Sequence, residues 1–443
     1  MNEYTTIVGM EIHVELATSS KMFCGCINDP FGATKPNIYT CPTCLGMPGA
    51  LPVPNAKAIE WTIKLGLALG CEIQPYSKFD RKHYFYPDLA KGYQISQYDL
   101  PFCKKGIVKT LLGDVRIQRV HLEEDTGKLQ HAIIDGKKVT LVDFNRCGVP
   151  LVEIVTEPDI HSGEHAKLFL KKLHQLIRYL GISSADMEKG SMRLEPNISV
   201  RKSNVKKLPT YKVEVKNINS FNFVKKAIDF ETNRHIDLLQ HGQTPVQETR
   251  GYAEATSSTI SQRSKEEAQD YRYFPDPDIP TIRLTKSYVE EIRNTLQELP
   301  DAKVSRFVKE YNLNEQEAIQ IVEEKTSADY FESCVSLAQG TKETAIIAPT
   351  HIARRIINQQ EKTELSPKQL IEELISKQRQ KQIDPNLVRQ AIQTVLRVQT
   401  KAIGDYKKGK TTVLMFLVGM VKQELKGKGD ASFIETELKK RLG

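Results

Sequence analysis

The chain has 443 residues, 40% hydrophobic and 27% charged, with mean hydropathy −0.41; disordered bulk is excluded and roughly two to four domains are expected. No apolar run reaches membrane-spanning length, and the start lacks a basic stretch followed by an apolar block and a cleavage site, so no membrane contact and a cytoplasmic location are expected. The net charge of +8 favours an anionic partner, though the excess is modest and matters only where it is concentrated.

The first element is the segment from Ile7 to Leu16, which alternates strictly between apolar and polar residues and predicts a strand. Val8, Met10, Ile12, Val14 and Leu16 then line a core, while Glu11, His13 and Glu15 share the other face. Such a row is costly unless a cation neutralises it, and its oxygen-rich character suits Mg²⁺ or Mn²⁺. An ordinary solvated face of an antiparallel strand is the alternative.

Four of the eight cysteines follow closely, as Cys24-x-Cys26 and Cys41-x-x-Cys44. Two thiolate pairs on turns can close a tetrahedral shell, which predicts a structural Zn²⁺ knuckle over residues 24–44. Cys71, Cys103, Cys147 and Cys334 are scattered and expected to be buried free thiols.

Asn55 opens a helix through Ile59, Ile63 and Leu67 that stops at Gly70. Ser77 to Asp88 then mixes bases with aromatic rings, a combination suited to phosphates and nucleobases or, structurally, to a tyrosine-rich strand edge under lysine stems. Val115 to Glu124 reads as a strand with Arg119, His121 and Glu123 on its polar face. Thr140–Phe144 and Leu151–Val155 are further strands, and Glu153 inside the second needs a cation or an arginine such as Arg146. His165 to Leu180 is an amphipathic helix, Arg193–Val200 and Tyr211–Asn217 alternate like strands, and Ala227 to Leu239 is helical. An α+β first domain results.

From Ser287 onward only helix-length segments remain: Ser287–Leu299, Asp301–Tyr311, Glu315–Glu324, then a last run opening at Ser366-Pro367. The final segment concentrates lysine, with Lys407, Lys408 and Lys410 before an apolar stretch; backbone-phosphate binding and a merely solvated surface are the two readings. Gly404 to Thr411 satisfies the letter of the P-loop pattern but lacks a preceding strand and following βα units, so a cationic turn between helices is expected instead. No dinucleotide-binding loop, nucleophile elbow or glycine/serine-rich amidase loop is found.

Several motifs occur in one order: Gly9-Met-Glu-Ile-His-Val-Glu-Leu16, Phe79-Asp-Arg-Lys82 with Tyr84-Phe-Tyr-Pro-Asp88, Tyr93-Gln-Ile-Ser-Gln97, and His121-Leu-Glu-Glu-Asp125 with Gly127-Lys128. They continue with Leu151-Val-Glu-Ile-Val155, Lys216-Asn-Ile-Asn-Ser-Phe221, Gln247-Glu-Thr-Arg250 and Asp270-Tyr-Arg-Tyr-Phe-Pro275. Across nearly the whole chain this resembles the B subunits of aspartyl/glutamyl-tRNA amidotransferases. The resemblance implies a mixed or antiparallel cradle domain over 1–285, a helical domain over 286–365 and a YqeY-like basic helical tail over 366–443 that contacts tRNA, with Lys407, Lys408 and Lys410 on its backbone.

It also implies ATP-dependent phosphorylation of the side-chain carboxylate of Glu-tRNA(Gln) or Asp-tRNA(Asn), then amidation with ammonia. A heterotrimer is implied, in which the amidase, or A, subunit releases the ammonia and a small C subunit holds the other two together. Glu11, His13, Glu124 and Glu153 are thereby assigned to catalysis and a Mg²⁺ face, although side-chain parity favours Glu123 over Glu124. Lys78, Arg81, Lys82, Arg193 and Lys216 are implied contacts to phosphate or the tRNA end, and Tyr84 and Tyr86 stacking partners. Arg193-Leu-Glu-Pro-Asn197 departs from the family's usual Arg-Cys-Asp, leaving the role of Glu195 open. A catalytically silent tRNA-binding scaffold is the rival reading.

Overall fold

The computed structural model describes residues 3–264, 271–340, 347–358, 365–381 and 384–442, so Asp270 of the last motif lies outside the described residues. The chain forms two compact units, Met1–Pro300 and Asp301–Gly443.

The first unit is built on a nine-stranded sheet: β1 (Tyr4–Glu15), β2 (Glu72–Ile73), β3 (Cys103–Thr110), β4 (Gly113–Glu124), β5 (Pro150–Thr156), β6 (Met192–Lys202), β7 (Val213–Lys216), β8 (Glu248–Ala253) and β9 (Ser258–Ser264). Their order is β9-β8-β7-β6-β1-β5-β4-β3-β2, with the first strand at the centre. All pairings are antiparallel except β7 with β8. The fold is α+β with a mixed, mostly antiparallel sheet.

Three helices cover one sheet face: α1 (Ala56–Ala68), α2 (Gly163–Leu180) and α3 (Phe221–Gln240). Each begins at a side-chain cap that satisfies otherwise orphaned amides. Asn55 accepts from the Lys57 and Ala58 N–H groups, Ser162 from His165, and Ser220 from Phe223. Gly181 ends α2 at φ +68°, a conformation that favours glycine. Val8, Met10, Ile12 and Val14 meet Phe169, Leu173, Ile177, Val224 and Ile228 in one core, as the alternation in β1 and the stripe on α2 predict. Burying each such side chain stabilises the fold by about 1.5–3 kcal/mol. The core therefore fixes which face of β1 turns inward, since a one-residue slip would drive Glu11 and His13 into hydrocarbon.

Some elements differ from expectation. β3 reads poorly because Lys104-Lys105-Gly106 interrupts its alternation, although Cys103, Gly106 and Val108 point inward. The strand expected at 140–144 spans Lys137–Asp143 and pairs with Lys128–Ile134 in a separate hairpin outside the large sheet. α3 starts six residues before Ala227, because Ser220 nucleates it upstream of the apolar periodicity. A small sheet sets Asp80–His83 between Tyr93–Ser96 and Phe274–Pro275, joining segments distant in sequence.

The second unit is helical from Pro300–Tyr311 onward, and its last part has its own core of Val388, Ile392, Leu414, Leu417, Val421, Ile434 and Leu438. Gly404 to Thr411 joins the end of helix Thr400–Lys407 to a turn before Val413–Glu424, with no strand ahead of it. Lys407, Lys408 and Lys410 are exposed there. Among the described residues no helix is long and apolar enough to cross a membrane.

Candidate active and metal site

The face of the central strands away from the helices carries the charge. Directly opposed residues in a sheet share a face. The register sets His13 between Arg193 on β6 and Glu153 on β5, and Glu153 opposite His121 on β4, so four polar side chains cross four strands in a row. His13 Nε2 lies 3.4 Å and His121 Nε2 3.3 Å from the same Glu153 oxygen. Glu123, two residues along β4, stands 3.9 Å from His13 and 3.8 Å from His121. Ligand atoms of His13, Glu123 and Glu153 all fall within 4.8 Å of one another.

Burial disfavours charge on all these groups, yet their mutual attraction outweighs it. His121 is pushed up to about 9 by Glu153 and Glu123 against the opposing effect of burial. Burial also works against charge on His13, but Glu153 and Glu195 raise it, and Glu153 and Glu123 fall despite burial because of the imidazoles. Lys82 acts electrostatically on this group: burial works against its charge, but the carboxylates of Glu123 and Glu153 outweigh it. Among the described residues, Nδ1 of both His13 and His121 is buried without a hydrogen-bond partner. An imidazole and two carboxylates converging in this way fit a hard divalent ion such as Mg²⁺ or Mn²⁺.

Glu11 belongs to an adjacent group with Glu195 and Glu214, whose ligand atoms also lie within 4.8 Å of one another. Asn197 donates to Glu11 at 3.0 Å, and Lys216 reaches Glu195 at 3.0 Å and Glu214 at 3.3 Å. Burial, then Glu153 and Glu214, raise Glu11 above the usual carboxylate range. Glu15, expected on the same row, turns to Asp125; burial and that neighbour push it up to about 8.

The remaining expected residues divide. Glu124, assigned to the metal face by resemblance, lies on the opposite side of its strand, ion-paired with Lys91 and accepting from the Ile95 N–H at 3.0 Å. Strand parity explains why Glu123 takes the place beside His13. Glu153 is not paired with Arg146, which donates to the carbonyls of Thr126 and Gly127. Lys78 is held by Asp80 and Asp99, and Arg81 by Asp276 and Asp278 while stacking on Tyr93 at 4.4 Å. Tyr84 packs edge-on against Tyr86 with centroids 6.3 Å apart, and Lys82 lies 5.9 Å over its ring. Arg193 binds Asp125 at 2.8 Å beside the His13 row. His121, Glu214, Tyr271 and Tyr273 stand outside the expected set. His121 carried a signal, since the alternation of its strand puts it on the polar face, whereas the other three reach the site only through tertiary pairing.

The sulfurs of Cys24, Cys26, Cys41 and Cys44 also converge within 4.8 Å. Thiolates ~2.3 Å from a tetrahedral zinc lie about 3.8 Å apart, so the four fit a closed zinc shell. Cys44, the buried member, is lowered to about 5, chiefly by its hydrogen bond with Cys24 and against burial, with the Cys41 N–H and Lys21 adding to the effect. Cys71, Cys103, Cys147 and Cys334 are buried free thiols.

Comparison with known proteins bears on this arrangement. Residues 6–290 match the model described as the GatB/GatE catalytic domain, which contains both acidic groups and the knuckle, and residues 335–442 match a GatB domain. The chain is 44% identical to the B subunit of the aspartyl/glutamyl-tRNA(Asn/Gln) amidotransferase of Thermomicrobium roseum, 42% to that of Thermotoga petrophila and 41% to that of Caldicellulosiruptor saccharolyticus. Each alignment covers 99% of both chains. With both domain models matched in order and the likeness running from end to end, the chain belongs to the family of aspartyl/glutamyl-tRNA(Asn/Gln) amidotransferase B subunits.

Proposed function

We propose that the chain is the ATP-dependent ligase component of a glutamine-dependent tRNA amidotransferase in the cytoplasmic translation machinery. It phosphorylates the side-chain carboxylate of Glu-tRNA(Gln), Asp-tRNA(Asn) or both. A carboxylate oxygen attacks the γ-phosphorus and ADP leaves; ammonia then attacks the acyl carbon and phosphate leaves, giving the amide. The amidase, or A, subunit supplies the ammonia by hydrolysing glutamine, and a small C subunit holds the pair together.

The observation that carries this reading is the largely buried His13–Glu123–Glu153 cluster on the sheet face away from the helices, on which the Lys82 charge acts. A Mg²⁺ held by these residues, with Glu11 close by, would neutralise charge on the transferring phosphoryl group. Lys82 supplies a fixed positive charge at the same place, and Arg193 and Lys216 offer further cations along the sheet. Tyr84 and Tyr86 provide ring faces for a base. Lys78, held by Asp80 and Asp99, and Arg81, held by Asp276 and Asp278, brace the small sheet and its flanking loops. The four cysteines hold a structural Zn²⁺ that closes the loop after β1. The exposed Lys407, Lys408 and Lys410 contact the tRNA backbone.

The test is Glu153→Gln in a complex reconstituted with candidate A and C subunits. ATP hydrolysis stimulated by Glu-tRNA or Asp-tRNA is expected to fall at least about a hundredfold, the scale of losing a charge-stabilising group, while zinc content is unchanged. Retained hydrolysis would refute the assignment. A wild-type complex that binds tRNA without acylation-dependent hydrolysis would establish the silent scaffold instead.

A further inference from the structure

Lys21 follows β1 in the chain, and its side chain is fully buried. Its Nζ donates to the Tyr39 carbonyl at 2.6 Å and the Phe144 carbonyl at 3.3 Å, and lies 4.0 Å from Cys44 Sγ. Neither carbonyl carries a charge. Among the described residues no carboxylate pairs with this ammonium; Glu124, which borders the same Gly148 backbone, is engaged by Lys91. A buried cation without an anion is strongly unfavourable, so the fold must place negative charge beside it. Cys44 is the buried cysteine of the knuckle, whereas Cys24, Cys26 and Cys41 are partly open to water.

We infer that Lys21 is the built-in counter-cation of the four-cysteine site, placed on its buried side where water cannot screen the charge. Zinc with four thiolates carries a net charge of −2, and a fixed ammonium at Cys44 offsets half of it. The same ammonium ties the knuckle at Tyr39 to Phe144, in the segment that leads into β5. The inference rests on reading the knuckle as a zinc site.

The experiment compares Zn²⁺ affinity of the full-length chain and Lys21→Met, a substitution of similar length without charge, by competition with a chelator. Affinity is expected to fall about tenfold to hundredfold, the range for groups that support a metal ligand from behind. Affinity within twofold of wild type would overturn the inference while leaving the zinc reading intact, and a wild-type chain that binds no zinc would overturn both. If Lys21→Met does not fold, the charge-keeping variant Lys21→Arg decides. Folded Lys21→Arg with zinc affinity within twofold of wild type supports charge pairing with the Cys44 thiolate, and a Lys21→Arg chain that fails to fold or loses zinc affinity assigns Lys21 to packing and overturns the inference.

Discussion

Adjacent glutamates on one strand have opposite fates here. Glu123 faces the histidines and Lys82, while Glu124 faces the chain interior and Lys91. The Glu124–Lys91 pair is nearly enclosed, with side chains 3% and 7% exposed. Removing one partner of such a pair leaves an uncompensated buried charge. Glu124→Ala is therefore expected to lower unfolding free energy by about 3–5 kcal/mol in urea titrations. Glu123→Gln keeps the shape of the side chain and removes only its charge. It is expected to abolish acylation-dependent ATP hydrolysis, with a loss of stability because His121, which is buried, and Lys82 lose part of their counter-charge. A folded, fully active Glu123→Gln protein would exclude Glu123 from the phosphoryl-transfer site.

The same logic of buried charge governs how elements are joined. Glu231 on α3 is wholly enclosed and paired with Arg234 at 2.7 Å, His235 at 3.0 Å and Arg250 of β8 at 3.1 Å, and it also accepts from Thr259 of β9. One carboxylate thus fastens a helix to the sheet edge, and Thr249 on β8 in turn donates to Glu214. Burial alone would raise Glu231, but His235, Arg234 and Thr259 hold it down at about 2 against an ordinary 4.5. A depressed carboxylate contributes stability above its unfolded value and loses it as pH falls towards the folded one. The stability gap between wild type and Glu231→Gln is expected to be about 3 kcal/mol at pH 6 and to close between pH 4.5 and 2, followed by urea unfolding across that range. A gap that does not change with pH would show that the pairing stores no such energy.

For the whole molecule, the excess of +8 is meaningful only through its distribution. Lysines 407, 408 and 410 stand exposed at a turn between two helices, in a segment whose own core runs from Val388 to Leu442. Removing residues 384–443 takes away that core as a unit. Phosphate contacts act through counterion release, so the shortened chain is expected to bind tRNA more weakly and with a shallower dependence on salt. Equal affinities and slopes for the two chains would place the tRNA contacts elsewhere.

Local chemistry was enough to read the strand of β1, the inward set from Val8 to Leu16, the cysteine knuckle, the helix opened by Asn55 and the rejection of a nucleotide loop, because each depends on spacing within a few residues. The parity of β4 likewise favoured Glu123. What the residues alone left open was which distant strands bring their side chains together: Glu153 beside His121, Lys82 beside Glu123, Glu11 with Glu195 and Glu214, and Lys21 behind Cys44. Those neighbours are set by cross-strand register and by the packing that holds it, and both are properties of segments well separated along the chain rather than of any one of them.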